Sequence, residues 1–349
     1  MKKPFFRLIA VPLCLLLHST FVSCQSTGGE STTVNKKDSV PDSTASENYK
    51  FGDTGVPVDT ALYNKFVQHL LNGDSSGRWP VKDVYPRAGA ILPFNRIIAF
   101  YGNLYSKQMG ILGELPPKQM LEKLKGEVKK WQAADTTLHV IPALHYIAVT
   151  AQQYGGKGNT YRLRMPFKQI DSVLSIAKQI NALVFLDIQV GLSTVRQEVP
   201  ELEKYLSMPN VHFGIDPEFS MKGGQAPGKA VGVYDAADIN YVSEYLASLV
   251  KKYNLPPKVF VVHRFTQAMV KNYKDIKLRP EVQIVMHMDG WGHPARKFNT
   301  YRMFINKEPV QFTGFKIFYK NDLKEANSRI LQPAELLKLK PQPVYIQYQ

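Results

Sequence analysis

Residues 211–219 read VHFGIDPEF, an apolar run that ends in two carboxylates, Asp216 and Glu218. The same pattern recurs along the chain. HVIPALHY (139–146) carries His145, LVFLDIQVG (183–191) carries Asp187 and Gln189, and VFVVHRF (259–265) carries His263. VQIVMHMDGWG (282–292) carries His287, Asp289 and Trp291. Runs this rich in β-branched and aromatic residues suit buried parallel strands. If such strands close into a barrel, the polar residues at their carboxyl ends converge on one face, where barrel enzymes do their chemistry.

Working outward gives eight expected strands: 96–101, 139–146, 183–189, 211–216, 258–264, 282–289, 314–319 and 344–348. Amphipathic helices separate them. Ile170, Val173, Leu174, Ala177 and Ile180 share one helical face, as do Ile239, Val242, Leu246, Leu249 and Val250. Pro116-Pro117 suits the first turn of a helix running to about residue 133. Strands alternating with helices over this length predict an α/β fold, a (β/α)8 TIM-like barrel spanning 51–349. An open doubly wound sheet is the alternative, and it too gathers its site at the strands' carboxyl ends. A further helix over 59–72 is expected to pack across the barrel floor. No internal repeat, P-loop, GxSxG, HExxH or paired CxxC is present.

The chain begins with Lys2-Lys3, an apolar run over 5–17, and Phe21-Val22-Ser23-Cys24. This is the layout of a secretion signal. It resembles a bacterial lipoprotein signal, which implies removal of residues 1–23, lipidation of Cys24 and attachment to a membrane of the cell envelope. The chain's other cysteine, Cys14, lies inside that signal, so no internal disulfide is expected. Residues 24–50 are rich in Ser, Thr, Gly and charge, and offer almost nothing apolar to bury; they read as a disordered tether.

The formal charge is +15, and three of the positive residues, Lys2, Lys3 and Arg7, fall in the signal, leaving +12. The basic residues are scattered rather than striped, and no nucleic-acid module is recognisable, so a surface facing an anionic membrane or wall explains them without nucleic acid.

Asp216 and Glu218 stand two apart, and alternate strand residues share a face. Neighbouring carboxylates raise one another's pKa, which prepares a proton donor beside a charged partner. Glycosidic cleavage needs such an acid and a second carboxylate. His287 and Asp289 repeat the spacing. Trp291, between two glycines, offers a flat face on which a sugar ring can stack. Gln189 can both donate and accept, Asp187 shares its face, and His145 and His263 can orient a substrate or relay protons. Tyr101 opens a glycine-containing stretch after the first strand. Long loops on one barrel face build substrate clefts.

The segments YGNLYSKQMGILGEL, LDIQVGLS, GIDPEFSM, LPPKVFVVHRFT, MDGWG and VYIQYQ resemble a set of bacterial exported proteins to which no activity is assigned, over residues 96–349. At a coarser level the Asp-Pro-Glu at 216–218 is similar to the Asp-x-Glu of chitinase-like and lysozyme-like barrel glycoside hydrolases. That similarity implies an acid role for Glu218 with Asp216 assisting, although His212 and Gly214 stand where the longer chitinase pattern has aspartates. Barrels like the α-galactosidases pair an Asp on the fourth strand with one on the sixth, which Asp216 and Asp289 satisfy.

The first expectation is therefore a membrane-tethered carbohydrate-active enzyme, without cofactor or metal. Glu218, Asp216 and Asp289 would be catalytic, and Asp187, Gln189, His145, His263, His287, Trp291 and Tyr101 would bind the sugar. The alternatives are a metal-dependent hydrolase with a His/Asp/Glu site and a non-catalytic glycan-binding envelope lipoprotein.

Overall fold

The computed structural model describes residues 52–82 and 84–349; the signal, the tether and Cys24 lie outside them. Eight strands make up the barrel: β1 Asn95–Gly102, β2 His139–Ala151, β3 Leu183–Ile188, β4 Val211–Ile215, β5 Lys258–Arg264, β6 Val282–Met288, β7 Phe312–Ile317 and β8 Tyr345–Tyr348. All adjacent pairs run parallel. Pairing of Ile97 with Tyr345 and Phe100 with Tyr348 joins β1 to β8 and closes the ring. The fold is a (β/α)8 barrel, and the closing pair excludes the open doubly wound sheet. Beyond the rim, Arg162–Arg164 adds an antiparallel strand to the end of β2.

The sequence reading carried three strands one residue too far. β3, β4 and β6 stop before Gln189, Asp216 and Asp289. Asp216 instead caps a 3-10 turn, Pro217–Phe219, by accepting from the Glu218 amide. A turn, rather than strand parity, therefore sets the two carboxylates side by side.

Helices α1 Thr60–Leu71, α2 Pro117–Ala134, α3 Phe167–Lys178 and α4 Ala236–Lys252 follow the apolar spacing. Asp235 and Asp238 form a capping box at α4. The remaining connections are crossed by shorter pieces, such as Val195–Glu198, Pro294–Thr300 and Pro333–Leu336, so the outer helical layer is uneven.

Inward-facing residues divide the barrel into two storeys. The lower one is apolar, with Ile97, Ala99, Ile141, Phe185, Val261 and Val285 in one cluster. From α1, Tyr63, Phe66 and Leu70 join this cluster, so α1 seals the barrel floor as expected. Phe66 meets Phe94 edge to face at 5.6 Å. Each large side chain buried in this way contributes about 1.5–3 kcal/mol. The upper storey is polar, yet Tyr101, His145, Asp187, His263, His287, Lys316 and Gln347 are all buried.

Candidate active site

Strand alternation places one polar side chain after another around the upper storey. From β1, the Tyr101 hydroxyl donates to Asp187 Oδ2 on β3 at 2.8 Å. From β2, His145 Nδ1 lies 2.5 Å from the Tyr345 hydroxyl and 2.9 Å from Gln347 Nε2, both on β8. Two glycines make room for this. A Cβ on Gly214 would fall 2.6 Å from His145 Nε2, and one on Gly314 would fall 2.7 Å from His287 Cδ2.

A chain of charge runs across the top. His263 Nδ1 is 2.9 Å from Asp289 Oδ2, and the other Asp289 oxygen is 3.0 Å from Lys316 Nζ. Lys316 Nζ also sits 4.0 Å from the centre of the Tyr101 ring, a cation–π contact. On the opposite side, Gln189 accepts from the Ala151 amide at 3.1 Å and donates to Asp216 Oδ2 at 3.3 Å.

Above this layer opens a cleft of about 760 Å³, within the range of small-molecule sites. Tyr101, Gln189, Asp216, Glu218, Asp289, Trp291 and Lys316 line it. Trp291 is 45 % exposed at the rim. The cleft does not reach four of the expected sugar-binding residues. Asp187, His145, His263 and His287 have no exposed surface and form a closed layer beneath it. Their inward parity was legible in the sequence; the depth at which they sit was not.

The cleft carboxylates differ in their electrostatics. Burial, reinforced by the nearby charge of Asp289, pushes Glu218 up to about 7. Among the described residues its carboxylate has neither a hydrogen-bond nor an ion-pair partner. Asp216 is pushed well above the usual carboxylate range by burial and by the charges of Glu218, Asp289 and Asp187. Burial also opposes ionisation of Asp289, but Lys316 and His263 overcome it and hold Asp289 below the usual range. A proton-bearing acid and a fixed anion thus face one cleft.

Three side chains support the site, and two of them, Tyr345 and Gln347, were not expected from the sequence. Tyr345 and Gln347 orient His145, and Lys316 anchors Asp289. The alternation Tyr345, Gln347 in the last strand, continued by Gln349 just past its end, is the signal that marks the first two, because polar residues at period two point inward together.

No family model matches the chain, and no curated protein does. Among solved structures it is similar to the cellulase Cel5C_n, at 16% identity over 63% of this chain and 65% of that one, with a TM-score of 0.38. It is also similar to endoglucanase Cel5A from the hyperthermophilic Thermotoga maritima (11%, 72% and 88%, TM-score 0.37). A third is the Burkholderia cenocepacia dihydropteroate synthase complexed with 7,8-dihydropteroate (8%, 74% and 86%, TM-score 0.32). The chain spans just under two thirds of the length of Cel5C_n. At this depth such likenesses carry no statement about activity, and the barrel rests on its own strand pairing.

Proposed function

We propose that the protein is a carbohydrate-active barrel enzyme that cleaves glycosidic bonds by carboxylate acid/base chemistry. The observation that carries this reading is the divergence between two carboxylates on one cleft. Glu218 is raised to about 7 and unpartnered, whereas Asp289 is held ionised between Lys316 and His263. A pair of groups whose surroundings push their pKa values apart is the signature of assigned acid and anion roles. Glu218 gives its proton to the leaving glycosidic oxygen. Asp289 stabilises the positive charge that develops at the anomeric carbon. Asp216 holds the turn that presents Glu218, and Gln189 holds Asp216. Trp291 supports the reading by offering a ring face at the cleft rim for a sugar to stack on.

The sequence supports placing this barrel at the surface of a bacterial membrane, tethered through a lipid on Cys24. The enzymatic reading is tested by incubating the full chain with a panel of envelope and plant polysaccharides and measuring release of reducing ends. Activity on at least one of them, lost in Glu218→Gln, is expected. Turnover unchanged in that variant would overturn the assignment of the acid.

A further inference from the structure

Beneath the cleft floor, three side chains from three strands face one another. They are His145 on β2, Asp187 on β3 and His263 on β5, and none has any exposed surface. One ligand atom from each lies within 4.8 Å of the others. His145 Nε2 stands 3.7 Å from Asp187 Oδ1, and His263 Nε2 stands 3.7 Å from Asp187 Oδ2. Both separations exceed hydrogen-bond length. Accordingly His145 Nε2, Asp187 Oδ1 and His263 Nε2 are buried polar atoms without a hydrogen-bond partner among the described residues. Leaving such an atom unsatisfied costs about 1–3 kcal/mol, so three within 4.8 Å of one another call for an occupant.

The surroundings match what a cation requires. The second nitrogen of each ring is already engaged, which turns Nε2 toward the shared point. His263 Nδ1 is held by the Asp289 carboxylate at 2.9 Å, the carboxylate–histidine–metal arrangement. His145 Nδ1 is held by Tyr345 and Gln347. The Gln347 amide oxygen has no hydrogen-bond partner among the described residues. Exchanging the places of its amide oxygen and nitrogen lets that oxygen accept from His145 Nδ1–H and frees the Nε2 lone pair. Carboxamide orientation is fixed by such networks. Tyr101 occupies Asp187 Oδ2 and leaves Oδ1 open. Gly214 keeps the space between them clear, since a Cβ there would fall 2.6 Å from His145 Nε2 and 2.7 Å from Asp187 Oδ1. Two ligand bonds of about 2.0–2.1 Å meeting at a tetrahedral angle span about 3.4 Å, a small contraction from the 3.7 Å between His145 Nε2 and Asp187 Oδ1; His263 closes in from within 4.8 Å.

We propose that His145 Nε2, Asp187 and His263 Nε2 bind a divalent transition cation of the Zn²⁺ class inside the barrel. Imidazole with carboxylate is a donor set for that class rather than for Ca²⁺ or Mg²⁺. The cation ties β2, β3 and β5 together. By fixing His263 it also fixes Asp289 in the cleft above. A doubly paired imidazolium at His263 is the alternative without metal, but it leaves His145 Nε2 and Asp187 Oδ1 unpaired.

The test is direct metal binding, which does not depend on any turnover. The tag-free full chain is stripped with a chelator and titrated with Co²⁺, read by its visible absorption, and with Zn²⁺, read by elemental analysis and thermal melting. One saturable equivalent per chain and a higher melting temperature on loading are expected. His145→Gln and Asp187→Asn should each weaken binding by at least roughly tenfold, while Glu218→Gln should bind as the wild type does. A cooperatively melting wild-type chain that takes up neither ion overturns the proposal. So does uptake of equal affinity in a folded His145→Gln or Asp187→Asn chain. If both variants fail to fold, the wild-type titration decides alone.

Discussion

At the scale of single residues, the site depends on what surrounds each carboxylate. Glu218→Gln keeps the shape and removes the transferable proton, so turnover should fall by roughly 10²–10⁴-fold. With Glu218 raised to about 7, wild-type activity should decline as pH climbs past neutrality and the acid is lost. The same shift predicts a stability effect of definite sign. A carboxyl at 4.5 in the unfolded chain and about 7 when folded favours the native state fully below 4.5, and this contribution is lost as pH rises through 7. The melting temperature of the wild type should therefore drop relative to Glu218→Gln over that interval; parallel curves would show that Glu218 is not raised. Gly214 makes a steric point. Gly214→Ala would put a methyl 2.6 Å from His145 Nε2. Overpacking of this kind costs about 1–3 kcal/mol, visible as a melting temperature lower by several degrees. An unchanged melt would show that the imidazole moves aside freely.

At the scale of elements, the loops above the barrel have their own anchor. Asp322, 1 % exposed, pairs with the equally buried Lys297 and accepts from the amides of Gly292 and Phe318. One carboxylate thus ties the loop after β6 to the end of β7. Asp322→Ala strands a lysine in a closed site, and breaking a buried pair costs about 3–5 kcal/mol. Thermal melting should register that as a fall on the order of ten degrees, and Lys297→Met together with Asp322→Leu should recover only part of it, because the amides of Gly292 and Phe318 stay without their acceptor. A single variant that melts like the wild type would show that the pair contributes nothing. Element by element, the strands were legible because each is a β-branched run ending in a polar group, and the long helices because their apolar spacing is regular. The turn at 217–219 was not, because strand alternation and an aspartate cap on a 3-10 turn predict the same neighbourhood for Asp216 and Glu218. Nor was the short-helix character of several connections, where proline and irregular apolar spacing leave only one or two turns. The site's inventory was readable from residue type, but its layering was not. Periodicity tells which way a side chain points, not how many others lie above it.

On the scale of the whole molecule, the barrel is joined through a polar stretch to a sequence that resembles a lipoprotein signal. The proposed anchor is tested by fractionating cells that express the full chain. The wild type should travel with membranes and Cys24→Ala should not; detergent partitioning identical for both would refute lipidation. The +12 balance beyond the signal predicts that residual membrane association of the variant weakens with salt, since anionic surfaces attract it only within a Debye length of about 10 Å at 0.1 M.

The seam between β1 and β8 bears on how the chain is made. Residues 95–102 wait for 345–348 before either edge is covered. Without 345–348 the sheet would keep two bare edges, on β1 and β7, a template for pairing with other chains. Tyr345 and Gln347 in the sealing strand are also the groups that hold His145. The strand that closes the wall thus also supplies the groups that hold His145, and a chain lacking it would have neither a sealed barrel nor an oriented His145.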